Sequence, residues 1–220
     1  RKKLKIRNLN MKINKVDFLP FNKIRVRLKN EIVSLGKGKI NNETKKNNFI
    51  HPVQWNNLIN EKNLILIDLR NEYEINLRKF KNSINPKTKS FSEFPDKLER
   101  MNLNKNDRIA MYCTGGIRCE KVSNYLGEKG YKNIYQLQGG ILNYLEFINN
   151  NNMRSKWHGE CFVFDNRISV DNKLETGKYI QCHGCRHPLS LKDTKSKDYT
   201  KGVSCSYCIQ FRTEEQKQNS

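Results

Sequence analysis

The sequence lacks any stretch close to the roughly 18 uninterrupted apolar residues that a membrane-spanning helix requires, and only 36% of it is hydrophobic. A helical membrane span is excluded, and a soluble protein is expected. Acidic charge is also scarce: 22 Asp and Glu face 42 Lys and Arg, a formal net charge of +20. Such a balance draws polyanions such as RNA through counterion release. Lys- and Asn-rich stretches such as Asn41 to Asn48 also supply charge by composition alone, so charge is only a secondary argument for RNA. The first residue is Arg1 rather than Met, which reads as a cut or processed end with any targeting segment out of view. No flavin, haem or iron-binding pattern is present, and no organic cofactor is expected.

Cysteine is what the sequence has. Seven are present, four of them in two Cys-x-x-Cys pairs, a usage that suits metal ligation and a reactive thiol better than a disulfide framework. That favours a reducing compartment, the cytoplasm, with an organelle as the alternative if a leader has been removed. At 220 residues the chain has room for one ordinary α/β domain and something smaller.

Along the chain, Lys23 to Lys29 alternate as a half-buried strand would, with Ile24, Val26 and Leu28 at every second place. Too little precedes them for a full domain, so residues 1–36 read as the remainder of an N-terminal module and 37–48 as a polar linker. A second unit, residues 49–150, alternates strand and helix. Pro52, Trp55, Leu58 and Ile59 predict a short helix. Leu64 to Ile67, ending at Asp68, predict a strand buried on both faces. Phe94, Leu98 and Met101 predict a helix, Arg108 to Tyr112 a strand, and Ile117 to Lys129 a helix closed by Gly130. Ile134 to Leu137 predict another strand, and Gly139-Gly140 lead into an apolar helix through Ile148. This order implies a parallel sheet covered on both faces. Beyond the Asn149 to Asn152 run, residues 155–212 hold a hairpin candidate, Cys161 to Phe164 against Ile168 to Val170, and then the cysteine pairs.

The segment with the most chemistry is Cys113-Thr114-Gly115-Gly116-Ile117-Arg118. It lies where an apolar strand gives way to a helix, and ligands in open α/β sheets bind beyond the carboxyl ends of strands. Two glycines let backbone N–H groups converge into an anion-binding nest. A thiol there meets those amides, the positive end of the helix and Arg118, all of which favour thiolate over thiol. The alternative, a small buried hydrophobe, is common for free Cys but needs neither the glycines nor the Arg. Cys119, inside the predicted helix, reads as packed rather than as a resolving thiol. Asp68, at the tip of its strand, either orients part of the site or serves to cap a helix or fix a loop. Cys161 is expected to be buried.

Cys182-x-x-Cys185 and Cys205-x-x-Cys208, nineteen residues apart, suit a tetrahedral zinc, each short pair spanning one edge of the tetrahedron. Four protein ligands leave no open position, so the role is structural. A redox Cys-x-x-Cys or paired disulfides are the rivals. His183 and His187 are read as neighbours rather than ligands.

Ile67-Asp68-Leu69-Arg70, Glu72-Tyr73-Glu74, Cys113 to Arg118 and Tyr135 to Gly140 together resemble a rhodanese domain from first strand to last helix. The Cys-x4-Arg loop is shorter than the Cys-x5-Arg ring of rhodanese-like phosphatases, which disfavours phosphatase activity. Met111 to Lys121, with Cys119-Glu120-Lys121 after the loop, and Trp157 to Asp165 are similar to segments of the rhodanese-domain tRNA uridine(34) hydroxylases. Phe21 to Gly36 resembles the end of that family's N-terminal ferredoxin-like domain, whose front half the sequence lacks. A second departure is Arg78 to Ser83, which has none of the glycines usual at that place in a rhodanese domain.

The resemblance implies a rhodanese-like α/β fold preceded by part of a ferredoxin-like α+β domain and followed by a small zinc-binding tail. It further implies a tRNA-modifying oxidoreductase that hydroxylates C5 of the wobble uridine with molecular oxygen as co-substrate. Cys113 would be the reactive centre, and Arg118 with the loop amides would stabilise its anionic forms. Two other functions fit the same residues: a sulfurtransferase carrying a persulfide on Cys113, and a zinc-stabilised RNA-binding module that has kept the fold without the chemistry.

Overall fold

A computed structural model describes residues 17–23, 25–29, 31–37, 48–213 and 215–216. Its central feature is a four-stranded parallel sheet in the order β1-β4-β3-β2. The strands are β1 (Asn48–Ile50), β2 (Leu64–Asp68), β3 (Arg108–Tyr112) and β4 (Asn133–Leu137). Period-two alternation along them feeds two hydrophobic layers. Leu66, Ala110 and Tyr112 face one layer; Ile67, Ile109 and Met111 face the other.

Helices α1 (Pro52–Leu58) and α5 (Gly140–Asn150) cover the first layer with Trp55, Leu58, Tyr144, Leu145 and Ile148. On the second, α3 (Phe94–Glu99) and α4 (Ile117–Glu128) contribute Phe94, Leu98, Val122 and Leu126. The expected strands and helices of this unit are therefore present, α4 stopping where Gly130 turns left-handed at φ 84°. The edge strand β1 and the short α2 (Glu72–Ile75) carry too few residues to show a period.

Phe80 joins these parts, with Tyr112, Tyr144 and Trp157 packed edge-on around it at 4.9, 5.2 and 5.1 Å. Its turn needs no glycine because Asn82 takes the left-handed conformation, φ 65°, which Asn tolerates better than most residues.

Past α5, the predicted hairpin forms as β5 (Cys161–Phe162) and β6 (Ser169–Val170). It packs onto the sheet: Trp157, Cys161, Val163 and Val170 belong to the first layer. A further hairpin, β7 (Ile180–Gln181) with β8 (Pro188–Leu189), flanks the first cysteine pair, and Cys182, Leu189, Cys205 and Cys208 make a small core of their own.

The alternating N-terminal run departs from expectation. Residues 25–29 join no strand among the described residues, and Val26 and Leu28 are 91% and 102% exposed. Alternation alone does not make a strand without an edge to pair with. Ile24 lies outside the described residues, as do 1–16 and most of the expected linker, so a ferredoxin-like part is not shown. Leu35, in contrast, is fully buried in the second layer, its N–H donating to the Glu31 carboxylate at 3.0 Å. No helix among the described residues is long and apolar enough to cross a membrane.

Candidate active site

β3 is buried along nearly its whole length and ends at Tyr112, whose hydroxyl meets Ser83 Oγ at 2.8 Å. The next residue, Cys113, is 2% exposed. The chain then reverses into α4 through Gly116, which sits at the helix N-cap with φ 90°, a conformation costly for any side chain. The reversal aims amides back at the sulfur: Gly116 N–H donates to Cys113 Sγ at 3.1 Å.

The loop is held from behind by the start of α5. Ile141 N–H donates to Cys113 O at 3.0 Å and Leu142 N–H to Thr114 O at 3.2 Å. A Cβ at Gly140 would lie 2.5 Å from both of those carbonyl oxygens, so only glycine lets the helix come this close. The Gly139-Gly140 pair in the sequence thus serves the thiol loop from the next crossover.

From the front, the loop is fixed by charge. Arg118 clamps Glu74 with two parallel bonds, 2.9 and 2.7 Å, with a third to Leu69 O at 3.2 Å. Glu74 is fully buried and its carboxylate also accepts the Asn71 N–H at 3.1 Å, an acid at the positive end of α2. Beside this pair lies a second one. Arg70 and Asp68, both fully buried, meet at 2.6 and 2.9 Å, and Arg70 also donates to the carbonyls of Glu74 and Arg78 at 3.3 and 2.6 Å. Asp68 Oδ1 also accepts the Arg70 N–H at 3.1 Å.

Cys113 is held well below an ordinary thiol, at about 6. The largest cause is a hydrogen bond from the Cys119 thiol; burial opposes it, and the Arg118 charge and the amides of Arg118 and Cys119 add to it. The thiolate is then the favoured form at neutral pH. Cys119 shows the reverse, pushed well up by burial and by its coupling to Cys113, so it stays a thiol. Cys119 was expected to be packed, and it is, with 0% exposure; its donor role was not legible. Cys161 is buried as expected and pushed up to about 12 by that burial.

Cys113, Thr114, Gly115, Ile117 and Arg118 line one cavity of about 680 Å³. Asn71, Phe91 and Phe164 line it too. Among the described residues the Thr114 hydroxyl, buried at the cavity wall, has no hydrogen-bond partner.

The four paired cysteines also converge. Their sulfurs all lie within 4.8 Å of one another, with Cys185 to Cys205 at 3.7 Å, Cys205 to Cys208 at 3.8 Å and Cys182 to Cys208 at 4.0 Å. All four are free thiols, and neither His183 nor His187 joins the group. Burial pushes Cys185 up to about 11 and Cys205 higher still; for Cys182, hydrogen bonds from the Cys185 and Gly184 amides and the Cys205 thiol outweigh burial and lower it. Sulfurs this close cannot all ionise without a cation between them, and the cluster has the shape to hold a metal.

Comparison with known proteins adds the following. The rhodanese-like domain family matches residues 52–146. A tRNA uridine(34) hydroxylase of Pelagibacter ubique (strain HTCC1062) is 52% identical over 206 residues, 94% of this chain and 67% of that protein. A tRNA uridine(34) hydroxylase of Picosynechococcus sp. (strain ATCC 27264 / PCC 7002 / PR-6) is 45% identical over 214 residues, 97% of this chain and 71% of the relative. Among solved structures, a rhodanese-related protein from Thermoplasma volcanium covers 46% of this chain and 92% of its own at 25% identity, with a TM-score of 0.38.

The thiol pair generates a direct expectation. Replacing Cys119→Ala removes the largest stabiliser of the Cys113 thiolate, so the midpoint of iodoacetamide alkylation at Cys113 moves up from near pH 6 by about one pH unit or more. An unchanged midpoint would show that the loop amides and Arg118 suffice.

Proposed function

The chain belongs to the tRNA uridine(34) hydroxylase family, and we propose that it hydroxylates C5 of the wobble uridine of tRNA from the Cys113 loop. The observation that carries this reading is the Cys113 thiol, met by the Gly116 N–H at 3.1 Å on the wall of a cavity of about 680 Å³, roomy enough for a base turned out of a single-stranded loop. Cys113 is the nucleophile. A soft thiolate adds to C6 of a uracil ring and makes C5 electron-rich; departure of the thiolate and of the C5 proton restores the ring once oxygen is in place. The net change, C5–H to C5–OH, takes one atom of molecular oxygen, the co-substrate implied by the family resemblance; the other atom leaves as water with two protons and two electrons from a reductant outside the chain.

The other residues position and neutralise. Thr114 offers its unpartnered hydroxyl to a polar edge of the base, where an unpaired buried group favours a substrate that pairs with it. Arg118 holds the loop through Glu74 and lends its charge to Cys113; Gly115, Gly116 and Ile117 shape the turn, and Asp68 fixes the strand end behind it. The excess of positive charge over the chain draws the phosphate backbone.

The four-cysteine cluster holds zinc in this reading. Zn–S bonds of about 2.3 Å place tetrahedral sulfurs about 3.8 Å apart; three of the six sulfur pairs lie at 3.7 to 4.0 Å and all within 4.8 Å. Bound there, zinc supplies a structural knot rather than a reactive site.

The second reading is a sulfurtransferase, with a persulfide on Cys113. It is favoured by the same N–H···Sγ contact at 3.1 Å, since amides that hold a thiolate also hold a persulfide anion.

Two measurements test these assignments. Mass spectrometry of tRNA nucleosides should show 5-hydroxyuridine-type products fall to background when Cys113→Ala replaces the wild type. Unchanged products would overturn the hydroxylase assignment to this thiol, and thiosulfate-dependent persulfide on Cys113 without any tRNA effect would favour the second reading. Purified protein should carry one zinc per chain by elemental analysis, and Cys205→Ser should lose most of it; metal-free wild type would contradict the zinc site.

A further inference from the structure

A second cavity, of about 550 Å³, lies next to the Cys113 cavity, and Phe164 lines both. The Phe164 ring is held without being covered. Phe162 packs edge-on against it at 5.1 Å, the Arg118 guanidinium lies 5.8 Å from its centroid, and the side chain is still 62% exposed. Phe164 is thus a wall that the two cavities share.

The chemistry of the second cavity identifies what it takes. Tyr73 and His187 present aromatic faces, Tyr73 fixed edge-on by Phe162 at 5.3 Å and His187 stacked on Tyr207 at 3.7 Å. Lys23 and Arg186 add two positive charges, and among the described residues neither side chain is paired with an acid. The acid in the lining, Asp165, is already neutralised by Arg167 at 2.6 and 3.0 Å. Aromatic faces beside unopposed cations are how proteins hold single-stranded nucleic acid, bases stacking on rings while the phosphates meet the charges.

We propose that the second cavity holds the nucleotide adjoining the target uridine, its base stacked on Phe164 and its phosphate drawn by Lys23 and Arg186. The proposal rests on the tRNA reading above and adds where the neighbouring residue of the anticodon loop goes. It also gives the four-cysteine knot a part in recognition. Arg186 follows Cys185 directly, adopts φ 64°, and donates its N–H to Cys182 O at 2.7 Å, so the turn that brings the thiols together also sets the position of this cation.

The test uses an anticodon stem-loop RNA carrying the fluorescent base 2-aminopurine at one or the other nucleotide flanking the target uridine. Stacking on a ring quenches 2-aminopurine, so binding to the wild-type protein should quench the probe at one flanking position. Phe164→Leu should lose the quench while Phe164→Tyr keeps it. Arg186→Gln should weaken binding about tenfold and flatten its salt dependence by about one unit of slope. Failure of the wild type to bind or to quench at either flank would overturn the proposal, as would a quench unchanged in Phe164→Leu. Hydroxylation of unlabelled RNA is assayed in parallel. RNA that binds and quenches but is never hydroxylated would contradict the enzyme assignment and leave the occupant of the cavity in place.

Discussion

The buried ion pair between Glu74 and Arg118 is the constraint on which the site depends. It ties α2 to the first turn of α4 across 44 residues of chain, with Glu74 fully buried and Arg118 nearly so. Placing two charges in the interior is costly, and such pairs contribute little net stability. What they do enforce is arrangement, because losing either partner strands the other without water. Here the arrangement is the thiol loop: with Arg118 clamped, the turn through Gly116 has one place to go, and the amides that follow it face Cys113. The neighbouring Asp68–Arg70 pair extends the same logic to the end of β2, and the Arg70 contact to Glu74 O joins the two.

The thiolate is the product of that arrangement. Burial alone would push a thiol upward, as it does at Cys161 and Cys119; at Cys113 the donors win. The net result is a thiol held at about 6, well below its ordinary range. No single contact supplies this. One thiol proton, several amides and one guanidinium charge converge on a single sulfur, and the close approach allowed by Gly140 keeps the loop from relaxing away from them.

Much of this was legible in the sequence. The buried strands and the helices of residues 49–150 follow from apolar periodicity, and the Cys113 to Arg118 loop and the two Cys-x-x-Cys pairs announce themselves by residue type and spacing. What stayed hidden depends on long-range pairing. Glu74 stands in a segment whose chemistry shows only when Arg118 arrives beside it, and Cys119 has a role only because the fold couples its thiol to Cys113. Phe164 reads as one more apolar residue after a strand until two cavities are seen to meet at its ring. The alternation at residues 23–29 is a different case: the described residues 25–29 join no described strand, since period two is a property of a sequence and a strand also needs a neighbour.

A double-mutant cycle between Glu74→Gln and Arg118→Gln, read as unfolding free energy in urea, measures the central interaction directly. If the pair holds the loop, each single substitution costs about 3 to 5 kcal/mol by stranding a buried charge, and the double variant loses far less than the sum, a coupling of about 2 kcal/mol or more. Losses that simply add would mean the two side chains act independently, and would contradict a thiol loop organised by their pairing.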